Sequence, residues 1–215
     1  MARLKVGVLV SGRGSNLQAL LDSAADPAFP AEIALVLSNV PGAFALERAT
    51  KAGVATAMVD NKAYDGRAPF EEAVHETLTA HGVEFVCLAG FMRLLTDGFV
   101  NRWHDRLINI HPSLLPSFKG AHAHRDALAA GVRLSGCTVH YVRPAMDSGP
   151  ILVQAAVPVL GNDDESALGA RVLEQEHRIY PLALRLIAEG RARVENEQVI
   201  IEGPGATGAL VNPAP

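Results

Sequence analysis

Short apolar runs rich in β-branched residues alternate with amphipathic segments along the first half of this chain. The runs predict five strands, at residues 4–10, 32–39, 55–60, 84–90 and 106–110. The intervening segments predict three helices, at residues 15–25, 44–53 and 67–81. Continuously apolar strands that are separated by helices form parallel sheets buried on both faces. This alternation therefore restricts the first half of the chain to an α/β fold.

The second half of the chain changes character. It predicts a helix at 123–130, strands at 137–142 and 151–159, a long helix at 163–190 and a hairpin turning at Asn196-Glu197. The predicted fold is therefore α/β, with a Rossmann-like, mostly parallel central sheet flanked by helices and a C-terminal antiparallel portion. With 215 residues, 49% of them hydrophobic, the chain suits one domain over residues 1–215. Residues 203–215 are rich in Gly, Pro and Ala, which predicts a disordered tail.

Charge and composition bear on partners and location. The formal net charge of −4 argues against a nucleic-acid partner, which would favour a basic surface. No run approaches the roughly 20 apolar residues of a membrane-spanning helix, so no membrane partner is predicted. Cys87 and Cys137 lie in apolar, strand-like runs, which favours buried free thiols over a disulfide and hence a cytoplasmic location. Both a monomer and a homodimer fit these properties.

Three segments lie at the ends of predicted parallel strands: SGRGS at 11–15, AGFMR at 89–93 and NIHPS at 109–113. Ligands collect beyond the carboxyl ends of such strands, so we expect these segments to share one cleft. In SGRGSNL, at 11–17, glycine permits close backbone approach and the following helix start offers N–H groups to an anion, which favours a phosphate site in this loop. A plain tight turn, with Ser15 as the helix N-cap, is the alternative. Met92, Leu94 and Leu95 are either pocket wall or core.

Asn109 and His111 stand at the end of a predicted strand that Pro112 terminates. Residues two apart on a strand point to the same side, so the amide and the imidazole should converge. Such a pair can stabilise an oxyanion and move a proton, or it can simply satisfy nearby backbone groups. Asp147, in the loop 143–150, would favour a charged His111 if it reached it; the alternative is a turn-forming aspartate.

Glu176 occupies an apolar face of the long predicted helix at a position where a leucine would be expected. A buried carboxylate needs a partner, so Glu176 either pairs with a nearby base or binds donor groups of a ligand, unless it reaches water at the boundary. Eight histidines invite a metal hypothesis. His122 and His124 form an H-x-H pair, but no third ligand follows at a metal-binding spacing, so no metal site is predicted.

Five segments in family order, spanning roughly residues 5–182, resemble the phosphoribosylglycinamide formyltransferase family of folate-dependent enzymes: VLVSGRGSNLQALLD, VCLAGFMRLLT, LINIHPSLLPSFKGAHAHRDAL, GCTVHYVRPAMDSGPILVQAAVPV and ARVLEQEHRIYPL. The NIHPSLLP block is shared with a wider formyl-transfer superfamily, whereas SGRGSNL indicates a ribonucleotide phosphate. The resemblance implies an enzyme of purine biosynthesis. It would transfer a formyl group from 10-formyltetrahydrofolate, its cosubstrate, to the primary amine of glycinamide ribonucleotide.

The same resemblance implies a role for each matching position. The catalytic residues would be Asn109, His111 and Asp147. Glycinamide ribonucleotide would be bound by Gly14, Ser15, Asn16 and Glu176. The folate would contact Asn109 and Asp147 together with Arg67, Met92, Arg93, Leu94, Leu95, Arg143, Pro144, Ala145 and Met146. The segment 62–69 departs from the family pattern, and Arg67 lies in it.

Three rival functions remain. A formyltetrahydrofolate hydrolase is expected to carry an extra N-terminal domain, and a methionyl-tRNA formyltransferase a C-terminal RNA-binding barrel. Here the predicted sheet begins at Leu4 and the net charge is negative, which favours the purine enzyme over both. A non-catalytic nucleotide-binding module would keep SGRGSNL but has no use for Asn109, His111 and Asp147 together.

Overall fold

Nine strands and six α-helices lie in the part of the chain that this computed structural model describes, residues 2–203 together with Gly205, Gly208, Leu210, Asn212 and Pro213. The strands are β1 Leu4–Val10, β2 Ala31–Ser38, β3 Thr56–Met58, β4 Phe85–Leu88, β5 Leu107–His111, β6 Leu134–Tyr141, β7 Ile151–Pro158, β8 Ala192–Glu195 and β9 Gln198–Ile201. The helices are α1 Ser15–Ala24, α2 Phe44–Lys51, α3 Arg67–Ala80, α4 Asp97–Arg102, α5 Ala123–Ala129 and α6 Glu165–Ala188, with a short 3-10 helix at Asn61–Ala63. Every strand and helix that the sequence predicts is present, with ends shifted by a few residues at most.

The strands form a seven-stranded sheet in the order β3-β2-β1-β4-β5-β6-β7 and a separate hairpin of β8 and β9. The pairs β1–β2, β1–β4, β2–β3 and β4–β5 are parallel, whereas β6–β7 and β8–β9 are antiparallel. This confirms the predicted mostly parallel sheet with an antiparallel C-terminal portion.

The chain divides into two compact units. The first unit comprises Met1–Asn109 and Tyr141–Pro144, and the second comprises Ile110–His140 and Ala145–Pro215. The single domain inferred from the sequence stays a prediction. Much of the predicted disordered tail, 203–215, lies outside the described residues; within it, Asn212 donates its side-chain amide to the carbonyls of Arg133 (2.7 Å) and Val159 (3.0 Å).

The core of the first unit forms where apolar strands meet an amphipathic helix. From Val6 to Val10, β1 is buried throughout, as expected for a strand covered on both faces. Helix α3 buries Phe70, Val74 and Leu78, which recur every four residues on one side. The helix approaches β1 so closely that a Cβ atom at Gly7 would come within 2.6 Å of the Leu78 side chain.

Helix α4 is the one α-helix that the sequence did not predict. It has only six residues, too few to display a helical period. Its start is set by Thr96, whose hydroxyl accepts from the Phe99 amide at 3.3 Å. Glu71, which is buried on α3, in turn accepts from the Thr96 amide at 2.9 Å and from the Thr96 hydroxyl. The N-cap residue of α4 is therefore held by a residue distant in sequence.

In the second unit, α6 buries the face that its sequence spacing predicts: Leu168, Val172, Glu176, Ile179, Ala183 and Leu186. Asp164 caps the helix by accepting from the Ala167 amide at 2.8 Å. The neighbouring Asp163 accepts two hydrogen bonds from Arg171, at 2.7 and 2.9 Å, and one from the Leu160 amide. Within the described residues, no helix combines the length and the apolar character needed to span a bilayer.

The Asp163–Arg171 pair makes stability depend on pH. Hydrogen bonds from Arg171 lower the pKa of Asp163 to about 2. A carboxyl whose pKa is depressed by folding stabilises the fold above the pKa of the unfolded chain, about 4, and loses this contribution as the pH falls toward 2. We expect Asp163→Asn to lower the Tm at pH 7 and to weaken the fall in Tm between pH 5 and pH 2.5.

Asp126→Asn serves as the control, since it alters an exposed ion pair with Arg125. The interpretation fails if Asp163→Asn and the control show the same Tm profile from pH 7 to pH 2.5.

Candidate active site

The SGRGSNL segment forms a tight loop between β1 and α1. Gly14 is the N-cap of α1 and has a left-handed backbone with φ of 72°. A Cβ atom at Gly14 would lie 2.7 Å from the Cβ of Ala45 on α2, so both conformation and space require glycine here. Ser15 is the first helical residue and not the cap. The alternative that Ser15 serves as the N-cap is therefore wrong, because glycine is what the close approach of α2 permits.

Helix α2 also binds the backbone of this loop through hydrogen bonds. Arg48 donates from Nε to the Arg13 carbonyl at 2.8 Å, and the Ala45 amide donates to the Gly12 carbonyl at 3.1 Å. The first turn of α1 contains no acidic residue, and Gln18 is the first residue of α1 whose amide bonds back to Gly14. A helix start without acidic residues in its first turn is suited to an anion.

The segment GFMRLL forms a second loop in the first unit, and two of its apolar side chains face solvent. Met92 is 77% exposed and Leu94 is 64% exposed, whereas Leu95 packs partly against the core. The interpretation as simple core is therefore wrong for Met92 and Leu94. Arg93 is exposed. Met92 and Leu94 therefore leave apolar surface accessible on this loop.

Two arginines from the predicted folate set have different surroundings. Arg67 is exposed at the first position of α3. Arg143 forms an ion pair with Asp105 at 2.7 Å, and its side chain is largely buried. Burial and the nearby Asp105 raise the pKa of Tyr141 to about 12. Pro144, Ala145 and Met146 follow Arg143 as exposed residues.

His111 is the last residue of β5 and is 5% exposed. Pro112 follows at once and, without an N–H group, ends the strand as predicted. The His111 Nε2 lies 2.9 Å from the Phe118 carbonyl, and its Nδ1 lies 3.6 Å from Asp147 Oδ2. Asn109 stands two residues earlier on β5, in register with Leu88 of β4. That Asn109 and His111 converge on one space stays a prediction.

Asp147 reaches His111 from a turn with left-handed backbone, φ of 49°. Its Oδ2 also accepts from the Gly120 amide at 2.9 Å, and its Oδ1 lies 3.8 Å from His140 Nε2. The contact between Asp147 and His111, which the sequence left open, is present, and Asp147 also has the backbone of a turn residue. His140, which is buried in β6, is the partner that the sequence analysis missed. Alternation along CTVHYV could have placed it on an inner face.

Glu176 is 6% exposed on α6, so the alternative that it reaches water at the boundary is wrong. Its negative charge, added to the larger effect of burial, raises the pKa of the Cys137 thiol to about 12. Cys87 and Cys137 are both free and buried, as predicted. Among the residues that the structure describes, no group of three or more His, Cys, Asp or Glu side chains could hold a metal ion.

Comparison with known proteins places these features in a family. The model of the formyl transferase family matches residues 4–184. Phosphoribosylglycinamide formyltransferase from Escherichia coli is 42% identical over 201 residues, which cover 93% of this chain and 94% of that protein. The chain belongs to the phosphoribosylglycinamide formyltransferase family. Proteins of the formyl transferase family use formyl folate as a cosubstrate.

Two further comparisons agree with this assignment. A crystal structure of glycinamide ribonucleotide transformylase 1 from Symbiobacterium toebii has a TM-score of 0.90 and 49% identity, and covers 93% of this chain and 94% of that one. The trifunctional purine biosynthetic protein adenosine-3 of Gallus gallus is 50% identical over 192 residues, which are 89% of this chain. The chain spans only 19% of that longer relative.

The Gly14 conformation generates a stability prediction. Gly14→Ala places a Cβ atom on a left-handed backbone and against Ala45, so we expect it to lower the free energy of unfolding by about 1–3 kcal/mol. Gly12→Ala is the matched control in the same loop, because no atom lies within 4 Å of its added Cβ. Urea unfolding of both variants measures the difference. Equal losses in the two variants would show that the loop does not require glycine at position 14.

Proposed function

We propose that this protein transfers the formyl group of 10-formyltetrahydrofolate to the primary amine of glycinamide ribonucleotide, as in purine biosynthesis. The observation that carries the proposal is the contact of His111 with Asp147 at 3.6 Å in a chain of this family. Such a pair supplies a hydrogen-bond donor and a proton-transfer group without a covalent intermediate. The raised pKa of Cys137, about 12, argues against that thiol as a nucleophile at neutral pH.

In this proposal, glycinamide ribonucleotide binds by its phosphate to the loop Gly14–Asn16. The helix start and the absence of acidic residues in the first turn of α1 support an anion there. Glu176 accepts hydrogen bonds from the ribose hydroxyls. A buried carboxylate on an otherwise apolar helix face is suited to hydroxyl groups. Hydroxyl groups donate hydrogen bonds to the carboxylate oxygens without adding a full counter-charge.

The folate binds by its pterin against the exposed loop Met92–Leu95, and we assign Arg143–Asp147 to the same ligand. The exposure of Met92 and Leu94 supports this assignment. Asn109 and Asp147 contribute polar contacts to the same ligand. Arg67 meets the acidic side of the folate; its exposed position on α3 leaves the guanidinium accessible to a carboxylate.

The amine nitrogen attacks the formyl carbon, and the resulting tetrahedral intermediate carries a negative oxygen. Asn109 and His111 donate hydrogen bonds to that oxygen. The Phe118 carbonyl can only accept, so His111 donates to it from Nε2. The Nδ1 then remains for the oxyanion. The imidazolium form suits this arrangement, because an unprotonated Nδ1 would set a lone pair against the Asp147 carboxylate.

Asp147 positions a water molecule for proton transfer. As the bond from carbon to the folate nitrogen breaks, the proton lost by the attacking amine passes through this water to that nitrogen. The products are the formylated ribonucleotide and tetrahydrofolate. The contact of Asp147 with the Gly120 amide supports this role, since it fixes the carboxylate.

We further propose that the protein acts in the cytoplasm on these small molecules, without a nucleic-acid or membrane partner, as a monomer or homodimer. Its two buried free thiols and net charge of −4 support that setting.

Purified protein with both substrates tests the function, with chromatography of the ribonucleotide and absorbance of the released folate. We expect formylated glycinamide ribonucleotide and tetrahydrofolate in equal amounts. Release of formate without the amine would favour a formyltetrahydrofolate hydrolase instead. Absence of any product with folded protein would favour a nucleotide-binding module.

Two variants test the assigned roles in that assay. His111→Ala and Asp147→Asn should each lower kcat by at least on the order of 10²-fold, because oxyanion stabilisation depends on both. His104→Ala is the matched control, since His104 also lies 3.6 Å from an aspartate, Asp105, but both side chains are exposed. Turnover at the control's level in either variant, with circular dichroism unchanged, would contradict the roles.

A further inference from the structure

The Ser11 hydroxyl joins the two ligand loops of the first unit. It accepts a hydrogen bond from the Met92 amide at 2.8 Å, where the loop Met92–Leu95 begins. The Ser11 amide donates to the Gly90 carbonyl at 3.1 Å, which adds a second link. Ser11 also opens the SGRGSNL loop, three residues before Gly14. One residue therefore fixes the start of both loops.

The direction of each hydrogen bond around Ser11 follows from chemistry. A backbone amide can only donate, so the Ser11 oxygen accepts from Met92 and its own hydrogen is left to donate. That hydrogen goes to Asn39 Oδ1 at 2.6 Å. Asn39 then presents its Nδ2 to Asn61 Oδ1 at 2.9 Å. In this hydrogen-bond network, each residue donates to the next in the order Met92, Ser11, Asn39, Asn61.

This hydrogen-bond network is buried at its centre, at Asn39. Asn39 is 3% exposed, so loss of a partner would leave a buried amide oxygen or nitrogen unsatisfied. Such a network holds its members in one arrangement more firmly than exposed hydrogen bonds do. At the far end of the second loop, buried Glu71 accepts from the Thr96 amide. The loop Met92–Leu95 is thus held at both ends, and only the Ser11 end is shared with SGRGSNL.

We propose that Ser11 is a positioning residue that couples the binding of glycinamide ribonucleotide to the binding of folate. The inference rests on the proposed function, since it takes SGRGSNL as the phosphate loop and Met92–Leu95 as the folate loop. A phosphate on Gly14–Asn16 contacts the loop that Ser11 opens. Because the Ser11 hydroxyl accepts from the Met92 amide, a ligand that shifts the first loop also shifts the start of the second. Coupling of this kind is reciprocal.

Isothermal titration calorimetry of the wild-type protein measures the coupling. Glycinamide ribonucleotide is titrated with and without saturating tetrahydrofolate, which lacks the formyl group and allows no reaction. We expect tetrahydrofolate to lower the Kd of the ribonucleotide by at least about fivefold. If each ligand binds alone but neither changes the Kd of the other, the coupling is refuted while the proposed function stands. If neither ligand binds, the proposed function fails.

Ser11→Ala removes the shared hydroxyl and should bring the ratio of the two Kd values to within about twofold of one, below the usual range of coupling. Ser38→Ala is the matched control. Like Ser11, Ser38 has a hydroxyl that both donates and accepts, but Ser38 is buried and its hydroxyl bonds to the carbonyl and amide of Val40. It should keep the wild-type ratio. A wild-type ratio in folded Ser11→Ala, or an equal loss in Ser38→Ala, would overturn the proposal.

Asn61→Ala provides a second variant if Ser11→Ala does not fold. This substitution removes the group that accepts from Asn39 Nδ2 at the end of the hydrogen-bond network, and it leaves Ser11 in place. The ratio should fall below that of the wild type while each single-ligand Kd remains measurable. An unchanged ratio would show that the network does not carry the coupling.

Discussion

The carboxylate of Asp147 is held almost out of water, and the second unit is arranged to stabilise it. A buried charge is tolerated only when hydrogen bonds and counter-charges replace its hydration. Gly120 supplies an amide at 2.9 Å, and His111 and His140 approach at 3.6 and 3.8 Å. Phe118, which accepts from His111, and Asp147 itself both have left-handed backbones. Non-glycine residues adopt that conformation at a cost of about 1–3 kcal/mol, which the surrounding contacts must offset.

In the first unit, the two loops that we propose to bind ligands are held in place without being buried. Side chains from distant elements bind their backbone groups. Arg48 donates to the carbonyl of Arg13, and Ser11 accepts from the amide of Met92. Glu71 accepts from the amide of Thr96. Each bond fixes the backbone of a loop, while side chains such as Arg13 and Met92 stay exposed. Loops on a rigid scaffold of strands and helices can therefore present ligand-binding groups in defined positions.

Local patterns predict what local physics determines. The β-branched runs and helical periods locate every predicted strand and helix, and the spacing of α6 places Glu176 inside. Prediction fails where a distant contact decides. The N-cap residue of helix α4 is held by Glu71. Gly14, and not Ser15, is the N-cap of α1, because Ala45 of α2 lies against that position. No pattern around Ser11 indicates that its hydroxyl meets Met92. The contact of Asp147 with His111 was open from spacing, and the roles of Asn109, Arg67 and the other ligand-binding residues stay predictions.

A double-mutant cycle on kcat/KM for formyl transfer tests most directly whether Asp147 acts through His111. The cycle compares the wild type, His111→Ala, Asp147→Ala and the variant that carries both changes. If the two side chains work as one unit, the doubly substituted protein should be no slower than the slower single variant, within about threefold, as for other catalytic groups that act together. Losses that multiply, so that the double variant is slower by the product of the two single effects, would contradict the account.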